Sequence, residues 1–557
     1  MFMCKNSFYI LGVYLWYHSR NGKGINIMSA NMIGWTGPIV SARTHIDPSG
    51  VQQASTNFQA LLLPGMSTVT QRLRYISLLT AARFYRMKAA KTEEEQIRLE
   101  QQLTFDEYFH RFEALVAICS IHHHLQSGGA PSGIVGVQTM KVQLQSQDRK
   151  IELKTEVQKL AHSIYRGTLG NLHIFDTSES TDPLFEDAIS LGKAWDIEQA
   201  GSFSSELKEG VLPKYIDRGD IGKIDEAFCL CSIPDNSPEQ AELIRVLFAQ
   251  GRPLQLSSPF ASDNEMIKHT TSYRSLAWRF VLELINHSQG QPLGNYLTLV
   301  NLLDSHVAMV NRHPVLNDEM IAWRWVAART FFERGWTGVF QKSIEILKQK
   351  YFGLDADEFT DQMRRFYLGQ QDDETQENET VESLWQEIEE NIYNNRDRLK
   401  ELSKSEQPRD YLLCILFALY TTKRDQEAHH SSFLGRLWSA NPIPFSNETL
   451  KVGQKHKACE MWSEIAEKSL MEHFSISLRK MSDGNPDSLI VDFDAGKWRI
   501  RDRAFDTQIA LADGSTRLDV ALSWALQLGL AKKSSTSAFE LTPTGRQCCI
   551  DWDHDHQ

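Results

Sequence analysis

The sequence predicts a mainly α-helical, multi-domain protein that ends in a small α+β module. Two observations lead to this fold class. Apolar residues recur at the spacing of buried helix faces through most of the 557-residue chain, and several of these segments open with N-capping residues. The alternating pattern of a strand becomes prominent only from Ser488 onward. With 41% hydrophobic residues, a chain of this length can build helical cores without disulfides.

The N-terminal helical domain is organised around residues 58–88. A short leucine run is ended by Pro64 and Gly65, a pair that is typical of turns. Ser67 is then predicted to cap a helix that continues to the end of this segment. Apolar side chains occupy so much of the helix that we expect most of its surface to be buried.

Two further helix starts carry capping signals. Thr104 and Glu107 have the spacing of a capping box, at the start of a helix predicted to reach about His124. Ser237 precedes Pro238, so a cap and a first-turn proline open the central helical domain. The remaining helical patterns cover residues 184–195, 272–287, 293–311, 318–350, 356–368, 409–422 and 455–479.

Composition shifts divide the chain into segments. Residues 372–390 include nine acidic residues and no basic one, which is typical of a solvated linker that leads into a charged helix. Near the start, an apolar run lacks a small-x-small cleavage site, which favours a mis-called start or a disordered leader over a signal peptide or anchor. Met28 is then an alternative first residue. The predicted segments are 1–29 (leader), 30–235 (N-terminal helical domain), 236–370 (central helical domain), 371–405 (acidic linker and charged helix), 406–487 (helical segment) and 488–557 (terminal module).

The charge balance excludes a protein that is covered by basic surface for nucleic acid. The chain has 59 basic and 71 acidic residues and a net charge of −12, which leaves room only for a local basic patch. Its eight cysteines are scattered, as expected in a reducing compartment. No apolar run approaches the ~20 residues that span a bilayer. We therefore predict a cytoplasmic protein without membrane contact.

Histidines and cysteines are the first candidates for metal chemistry. His122, His123 and His124 are consecutive near a helix end, and side chains 100° apart on a regular helix cannot all reach one ion. Cys229 and Cys231 lack a second cysteine pair at zinc-finger spacing, so they are interpreted as structural. There is also no phosphate-binding loop. We expect no metal site and no cofactor.

An enzyme with a site assembled from distant acids is the main alternative. Glu152 and Lys154 match the second half of a nuclease motif, and Asp106 is an upstream acid that would complete it. The tripeptide is common by chance, and it is predicted to lie in a helical segment of alternating charge. The acids and histidines at the C-terminus are expected to form a frayed tail.

The terminal module has the order of elements found at the end of a winged-helix domain. Residues 516–530 predict a capped amphipathic helix, and the sequence LTPTGR at 541–546 resembles the return strand of a wing. Winged helices bind DNA when the exposed helix and wing are basic. The basic residues here are Arg517, Lys532, Lys533 and Arg546. Because acidic residues alternate with them, protein docking is favoured over DNA contact.

A second resemblance lies in residues 62–77, LLPGMSTVTQRLRYIS. They are similar to a Leu-Pro-Gly-x-Ser/Thr motif of bacterial proteins from anti-phage islands, in which an Asp-Pro-x-Gly turn lies upstream, as at residues 47–50 here. A Trp-Arg helix rich in aromatics also recurs, as at residues 323–336. Together with the acidic break and the terminal module, these features most resemble the accessory subunit of Lamassu-type defence systems.

The resemblance implies a non-catalytic adaptor that docks onto an SMC-like coiled-coil ATPase dimer and holds a nuclease effector silent until foreign DNA is sensed. Four arginines of the N-terminal segment would contact DNA or an acidic partner, or would instead pair with carboxylates inside the domain. These are Arg72, Arg74, Arg83 and Arg86. A winged-helix regulator that binds one operator is a third hypothesis, and the acidic balance makes it the least favoured.

Overall fold

A computed structural model describes residues 59–555, apart from segments at 126–131, 175–185, 251–262, 289–313, 370–376, 429–456, 483–488, 505–508, 510–515 and 535–537 and a few single positions. The described residues are about 70% helical and their sheets have only two or three strands, which confirms the predicted mainly α class. The predicted leader, the turn at 47–50 and the predicted helix at 293–311 lie outside the described residues.

Short helices fill the N-terminal part of the described chain. They surround the apolar helix α1, whose residues from Arg74 to Arg86 are all buried. The helices are α1 (Arg74–Lys88), α2 (Glu93–Gln102), α3 (Phe105–His123), α4 (Val137–Gln145), α5 (Ala161–Asn171), α6 (Glu186–Ala194), α7 (Ser204–Lys208), α8 (Arg218–Ile221), α9 (Asp225–Phe228) and α10 (Pro238–Phe248).

The longest helices lie in the rest of the described chain, together with shorter ones. Those described are α11 (Asp263–His287), α12 (Pro314–Lys348), α13 (Ala356–Leu368), α14 (Val381–Glu387), α15 (Arg396–Leu402), α16 (Pro408–Ala428), α17 (Ala458–Ser482), α18 (Arg517–Gln527) and α19 (Pro543–Asp555). No helix in the described part of the chain is both long enough and apolar enough to cross a membrane.

The described chain has three small antiparallel sheets, two of which join distant segments. Strands β1 (Lys150–Glu152) and β2 (Tyr215–Asp217) pair through Ile151 and Ile216. Strand β3 (Leu354–Asp355) pairs with β5 (Lys497–Ile500), which also pairs with β4 (Val491–Asp494). Strands β6 (Ala531–Lys533) and β7 (Phe539–Leu541) form a hairpin directly after α18.

Two of the caps predicted from sequence, Thr104 and Ser237, begin their helices as expected. The Thr104 hydroxyl accepts a hydrogen bond from the Glu107 amide at 3.2 Å, and α3 starts at the next residue after Thr104. The Ser237 hydroxyl accepts from the Gln240 amide at 3.1 Å, with Pro238 in the first turn of α10. These helix starts depend on a few consecutive residues, and so the local sequence is sufficient to locate them.

Two predicted segments pack on other parts of the described chain. Within 371–405, where an acidic linker and a charged helix were predicted, α14 and α15 bury their apolar side chains against the core. Within 488–557, β4 and β5 join β3 in one sheet that packs on α12, α13 and α17, whereas α18 and α19 pack on α11. The physical reason is that a two-stranded hairpin needs a third strand or a helix to bury its apolar face.

Helices α12 and α16 form the largest helix pair of the described chain, and two glycines permit their close approach. The rings of Phe331 and Phe417 lie 5.1 Å apart across this interface. A Cβ atom at Gly335 would lie 2.4 Å from the backbone oxygen of Tyr411, and one at Gly338 would lie 2.5 Å from the Tyr411 ring. The backbone of α12 therefore touches α16 where these glycines lie.

We expect Gly335→Ala to lower the free energy of unfolding by about 1–3 kcal/mol, because the new methyl group overpacks a backbone contact that cannot move aside. The control is Gly167→Ala in α5, where a Cβ atom meets nothing within 4 Å. That change should stabilise the protein by about 0.5–1 kcal/mol, since alanine favours the helix. Urea unfolding followed by circular dichroism measures both, and equal effects would contradict the close approach.

Candidate functional site

The segment that precedes α1 is irregular, although the sequence predicts that Ser67 caps a helix there. The observed helix begins at Arg74, and its N-cap residue Leu73 makes no side-chain cap. Ser67 and Thr70 form a turn instead: the Thr70 hydroxyl donates to the Ser67 carbonyl at 2.8 Å and accepts from the Ser67 amide at 3.1 Å. Such local bonds compete with helix formation. We call residues 66, 67 and 69–73 the entry segment.

The backbone of the entry segment is bonded by side chains from distant parts of the chain. The Leu73 amide donates to Gln527 at 2.9 Å, so a residue 454 positions away caps α1. The amide group of Gln527 donates to the Gln71 carbonyl at 2.9 Å, and the indole of Trp524 donates to the Thr70 carbonyl at 2.9 Å. These hydrogen bonds explain why the segment is not helical, because its peptide groups bond side chains of α18 and not one another.

Two further bonds fix the entry segment. The Tyr165 hydroxyl accepts from the Arg72 amide at 2.9 Å and donates to the Arg72 carbonyl at 2.8 Å. Arg517 donates through its side chain to the Met66 carbonyl, and its amide donates to Gln59 at 2.8 Å. Burial lowers the pKa of Arg517 to about 10. Arg517 therefore serves the junction between the motif and α18 and does not project as a free basic residue.

Arg74 forms the most buried ion pair near the motif. Its guanidinium contacts both carboxylate oxygens of Glu239 at 3.3 Å, and the two side chains are only 3% and 4% exposed. The same guanidinium donates to the backbone carbonyls of Glu226 at 3.1 Å and Cys229 at 2.7 Å. Ser77 donates to Glu239 at 2.5 Å. One arginine thus joins α1, α9, the loop after α9 and α10.

The other motif arginines are also placed among protein groups. Arg86 is 4% exposed and donates to the carbonyls of Gly210 at 2.5 Å and of Leu103, and burial lowers its pKa. Arg83 is 7% exposed, and its guanidinium lies 5.8 Å from the centre of the Phe105 ring. Arg72 is half-buried and donates to the Ser132 carbonyl at 2.6 Å. The four arginines therefore do not form an exposed basic stripe for DNA or an acidic partner, which was one of the two alternatives predicted from the sequence.

The wing-like hairpin keeps its basic residues at the surface. Lys532 and Lys533 lie in β6 and are exposed, and Arg546 is exposed in the first turns of α19. Lys532 lies 3.6 Å from Glu540 on the paired strand, a contact between exposed groups that contributes little stability. We call β6, β7 and the start of α19 the wing surface.

The terminal module is anchored at its far end as well. The Arg279 guanidinium contacts Asp553 at 2.9 Å, and the Trp552 indole donates to the Ser275 hydroxyl at 2.7 Å. Asp553 therefore belongs to a docked helix, and the C-terminal acids that were expected in a frayed tail are helical as far as Asp555. The Gln240 side chain also donates to the Leu528 carbonyl at 2.7 Å.

Four possible metal ligands converge beside the entry segment. The donor atoms of His123, His124, Cys229 and Cys231 all lie within 4.8 Å of one another. Cys229 is buried, whereas the other three side chains retain some exposure to solvent. Two nitrogen and two sulfur donors are a ligand set that favours tetrahedral coordination. Among the described residues, this is the only group of three or more such donors within reach of one another.

The backbone conformation explains how two of the three consecutive histidines come close to the two cysteines. Consecutive residues diverge by 100° only on a regular helix, and His124 is the C-cap of α3 with φ −104° and ψ 10°. The centres of the His123 and His124 imidazole rings consequently lie 5.0 Å apart. Cys229 leaves α9 with extended backbone, and a bend at residues 230–231 follows it, so that Cys231 lies beside Cys229 in the same loop. A Cys-x-Cys pair together with a histidine cluster at a helix end is the signal that could have suggested the site.

The residues proposed for a nuclease are placed differently. Glu152 lies in β1 and not in a helix, and its carboxylate pairs with Lys214 at 3.3 Å. Asp106 lies in the first turn of α3. Neither acid belongs to the group of converging donors described above.

Comparison with known proteins finds no match. No family model, no curated protein and no solved structure is similar to this chain. The contacts and charges of the chain itself therefore carry the functional inference.

We expect Arg74→Met to lower the free energy of unfolding by about 3–5 kcal/mol, because it leaves the Glu239 carboxylate buried and uncompensated. The matched control is Arg149→Met, which removes an exposed pair with Asp217 and should cost about 0–1 kcal/mol. Urea unfolding gives both values. The double variant Arg74→Met/Glu239→Leu should be more stable than Arg74→Met alone, and a further loss in the double variant would contradict this account.

We expect Gln527→Ala to loosen the junction between α18 and the entry segment. The substitution leaves the buried Leu73 amide without its acceptor, at a cost of about 1–3 kcal/mol. Hydrogen–deuterium exchange should rise in both residues 69–76 and residues 517–527, which are far apart in sequence. Gln547→Ala is the control, because Gln547 is exposed and bonds only Asp551 in its own helix. An exchange change confined to α18 would argue against the junction.

Proposed function

We propose that this chain is a non-catalytic adaptor subunit of a bacterial defence complex, acting in the cytoplasm. In this proposal it docks onto an SMC-like coiled-coil ATPase through its terminal module and couples that ATPase to a nuclease effector. The motif of residues 62–77 and the terminal module support the choice of partners through their resemblance to Lamassu-type accessory subunits. The wing surface is the part of the chain that we assign to docking.

The observation that carries the proposal is the way in which the terminal module is mounted. Its helix α18 is bonded to the entry segment by Gln527 and Trp524, and α19 is bonded to α11 through Asp553. The hairpin between these two anchored helices has exposed lysines. A charged element on a rigid frame can recognise a partner without an entropic cost of ordering, which is the arrangement expected of a docking element.

The charge of the wing surface favours an acidic protein partner. Lys533 and Arg546 are exposed, while Glu540 lies beside Lys532 and reduces the positive potential of the hairpin. Duplex DNA binding usually needs several basic contacts to phosphates, since each contributes a share of the affinity. A surface of three cations and one anion is better suited to an acidic patch on a protein than to a duplex.

The test is co-purification of the tagged chain with the products of its neighbouring genes, including the ATPase. We expect a defined complex at moderate salt for the wild type. Lys533→Glu/Arg546→Glu should lower the amount of retained ATPase about tenfold, which corresponds to about 1.4 kcal/mol of binding free energy. Mass measurement of the eluted species gives the composition of the complex.

The matched control is Lys141→Glu/Lys159→Glu, which changes the net charge equally at exposed lysines outside the wing surface. It should retain the ATPase as the wild type does. A wild-type chain that elutes alone in the presence of the ATPase would overturn the proposal. Loss of duplex DNA binding in the wing variant, with the ATPase still retained, would favour the winged-helix alternative.

A further inference from the structure

The group of His123, His124, Cys229 and Cys231 has a place in the fold that the adaptor proposal does not use. Its two histidines end α3, and its two cysteines follow α9. These elements pack on each other, with the rings of Phe112 and Phe228 5.9 Å apart. The donors therefore lie at the edge of an ordered core, and the inference drawn from them is independent of the proposed function.

The spacing of the donor atoms is close to that of an occupied tetrahedral site. Zinc–sulfur distances of about 2.3 Å and zinc–nitrogen distances of about 2.0 Å place the ligand atoms of such a site roughly 3.3–3.8 Å apart. The four donors here all lie within 4.8 Å of one another. Side-chain rotation without backbone movement can close a difference of about 1 Å, since the side chains have staggered alternatives.

The backbone that carries the cysteines is held in place from both sides. Arg74 donates to the Cys229 carbonyl at 2.7 Å, and the Leu230 amide donates to the Ser120 hydroxyl at 3.1 Å. Ser120 belongs to α3, the same helix that ends in the two histidines. The backbone that carries the sulfur donors is thus held against α3 by bonds that do not involve a metal, which is the preorganisation that a metal site needs.

Groups around the donors suit a metal centre. The Cys229 and Cys231 side chains hydrogen-bond to each other, and this contact together with burial raises the pKa of the Cys229 thiol. The two sulfurs are therefore adjacent before any metal binds, and a metal ion would displace their protons. Asp225 lies 3.8 Å from Nδ1 of His123 and 2.6 Å from Nδ1 of His122. Carboxylates commonly orient histidines that bind metal.

We propose that His123, His124, Cys229 and Cys231 bind one zinc ion in a closed, tetrahedral, structural site. Two Zn–S and two Zn–N bonds form, the two cysteine thiols lose their protons to solvent, and both imidazoles bind in the neutral form. No ligand is oxidised or reduced. Four protein donors fill the coordination sphere, so the ion crosslinks the end of α3 to the loop after α9 and does not activate water.

The first experiment measures metal in the full-length chain after purification without chelator. Elemental analysis by mass spectrometry should give about one zinc per chain, and Cys231→Ser/His124→Ala should reduce it to near zero. Reconstitution with cobalt should produce the ligand-field absorption of a tetrahedral ion together with thiolate-to-cobalt charge transfer. That charge-transfer band should be absent in the Cys231→Ser variant.

Two control variants separate this site from other donors. Cys549→Ser removes a cysteine outside the group, and His554→Ala removes a histidine near the C-terminus. Both should retain one zinc per chain. If the cysteine variants fail to fold, chelation of the wild type still tests the proposal: removal of zinc should lower the thermal midpoint by several degrees, and added zinc should restore it.

Three outcomes would overturn the proposal. The first is a wild-type protein that contains no zinc and does not bind it on addition. The second is zinc that persists in Cys231→Ser/His124→Ala but is lost in His554→Ala, which would assign the ion to the C-terminal histidine. The third is a disulfide between Cys229 and Cys231 in the protein purified under reducing conditions, detected by peptide mass.

Discussion

The buried ion pair between Arg74 and Glu239 is the interaction on which the N-terminal and C-terminal parts of the fold both depend. Two charges that are 3% and 4% exposed carry a desolvation cost of several kcal/mol each, which only their mutual contact and hydrogen bonds offset. The pair therefore fixes the position of α1 relative to α10. Because Arg74 also bonds the Cys229 carbonyl, the loop that carries both cysteines is fixed by the same contact.

The proposed docking surface and the proposed zinc site are both connected to this ion pair through hydrogen bonds, and they share no residues. On one side, Glu239 is followed by Gln240, whose side chain bonds the Leu528 carbonyl at the end of α18 and so supports the wing surface. On the other side, Arg74 supports the proposed zinc ligands. The wing surface and the proposed zinc ion would thus both be connected to the same ion pair. The wing contacts or the zinc can be removed experimentally while the other property is measured.

Local features of this fold are predictable from sequence, and features that depend on distant residues are not. Thr104 and Ser237 begin helices because a cap needs only the next three residues. The start of α1 differs from the prediction because its cap comes from Gln527, which no window around Ser67 contains. The converging donors were missed because helix geometry was assumed for His124, whose backbone has left the helix. Similarly, the burial of Arg74 depends on a carboxylate 165 positions later.

The hydrogen bond between the Leu73 amide and Gln527 also has a consequence for folding during synthesis, because it cannot form until Gln527 has been added to the chain. A ribosome that adds about 5–20 residues per second needs roughly 23–90 s to make the intervening 454 residues. Throughout that time the peptide groups of the entry segment lack their hydrogen-bond partners in α18. The nascent N-terminal domain is therefore unfinished until α18 has been synthesised, so a chain terminated before Gln527 would carry unpaired peptide groups that chaperones and proteases can recognise.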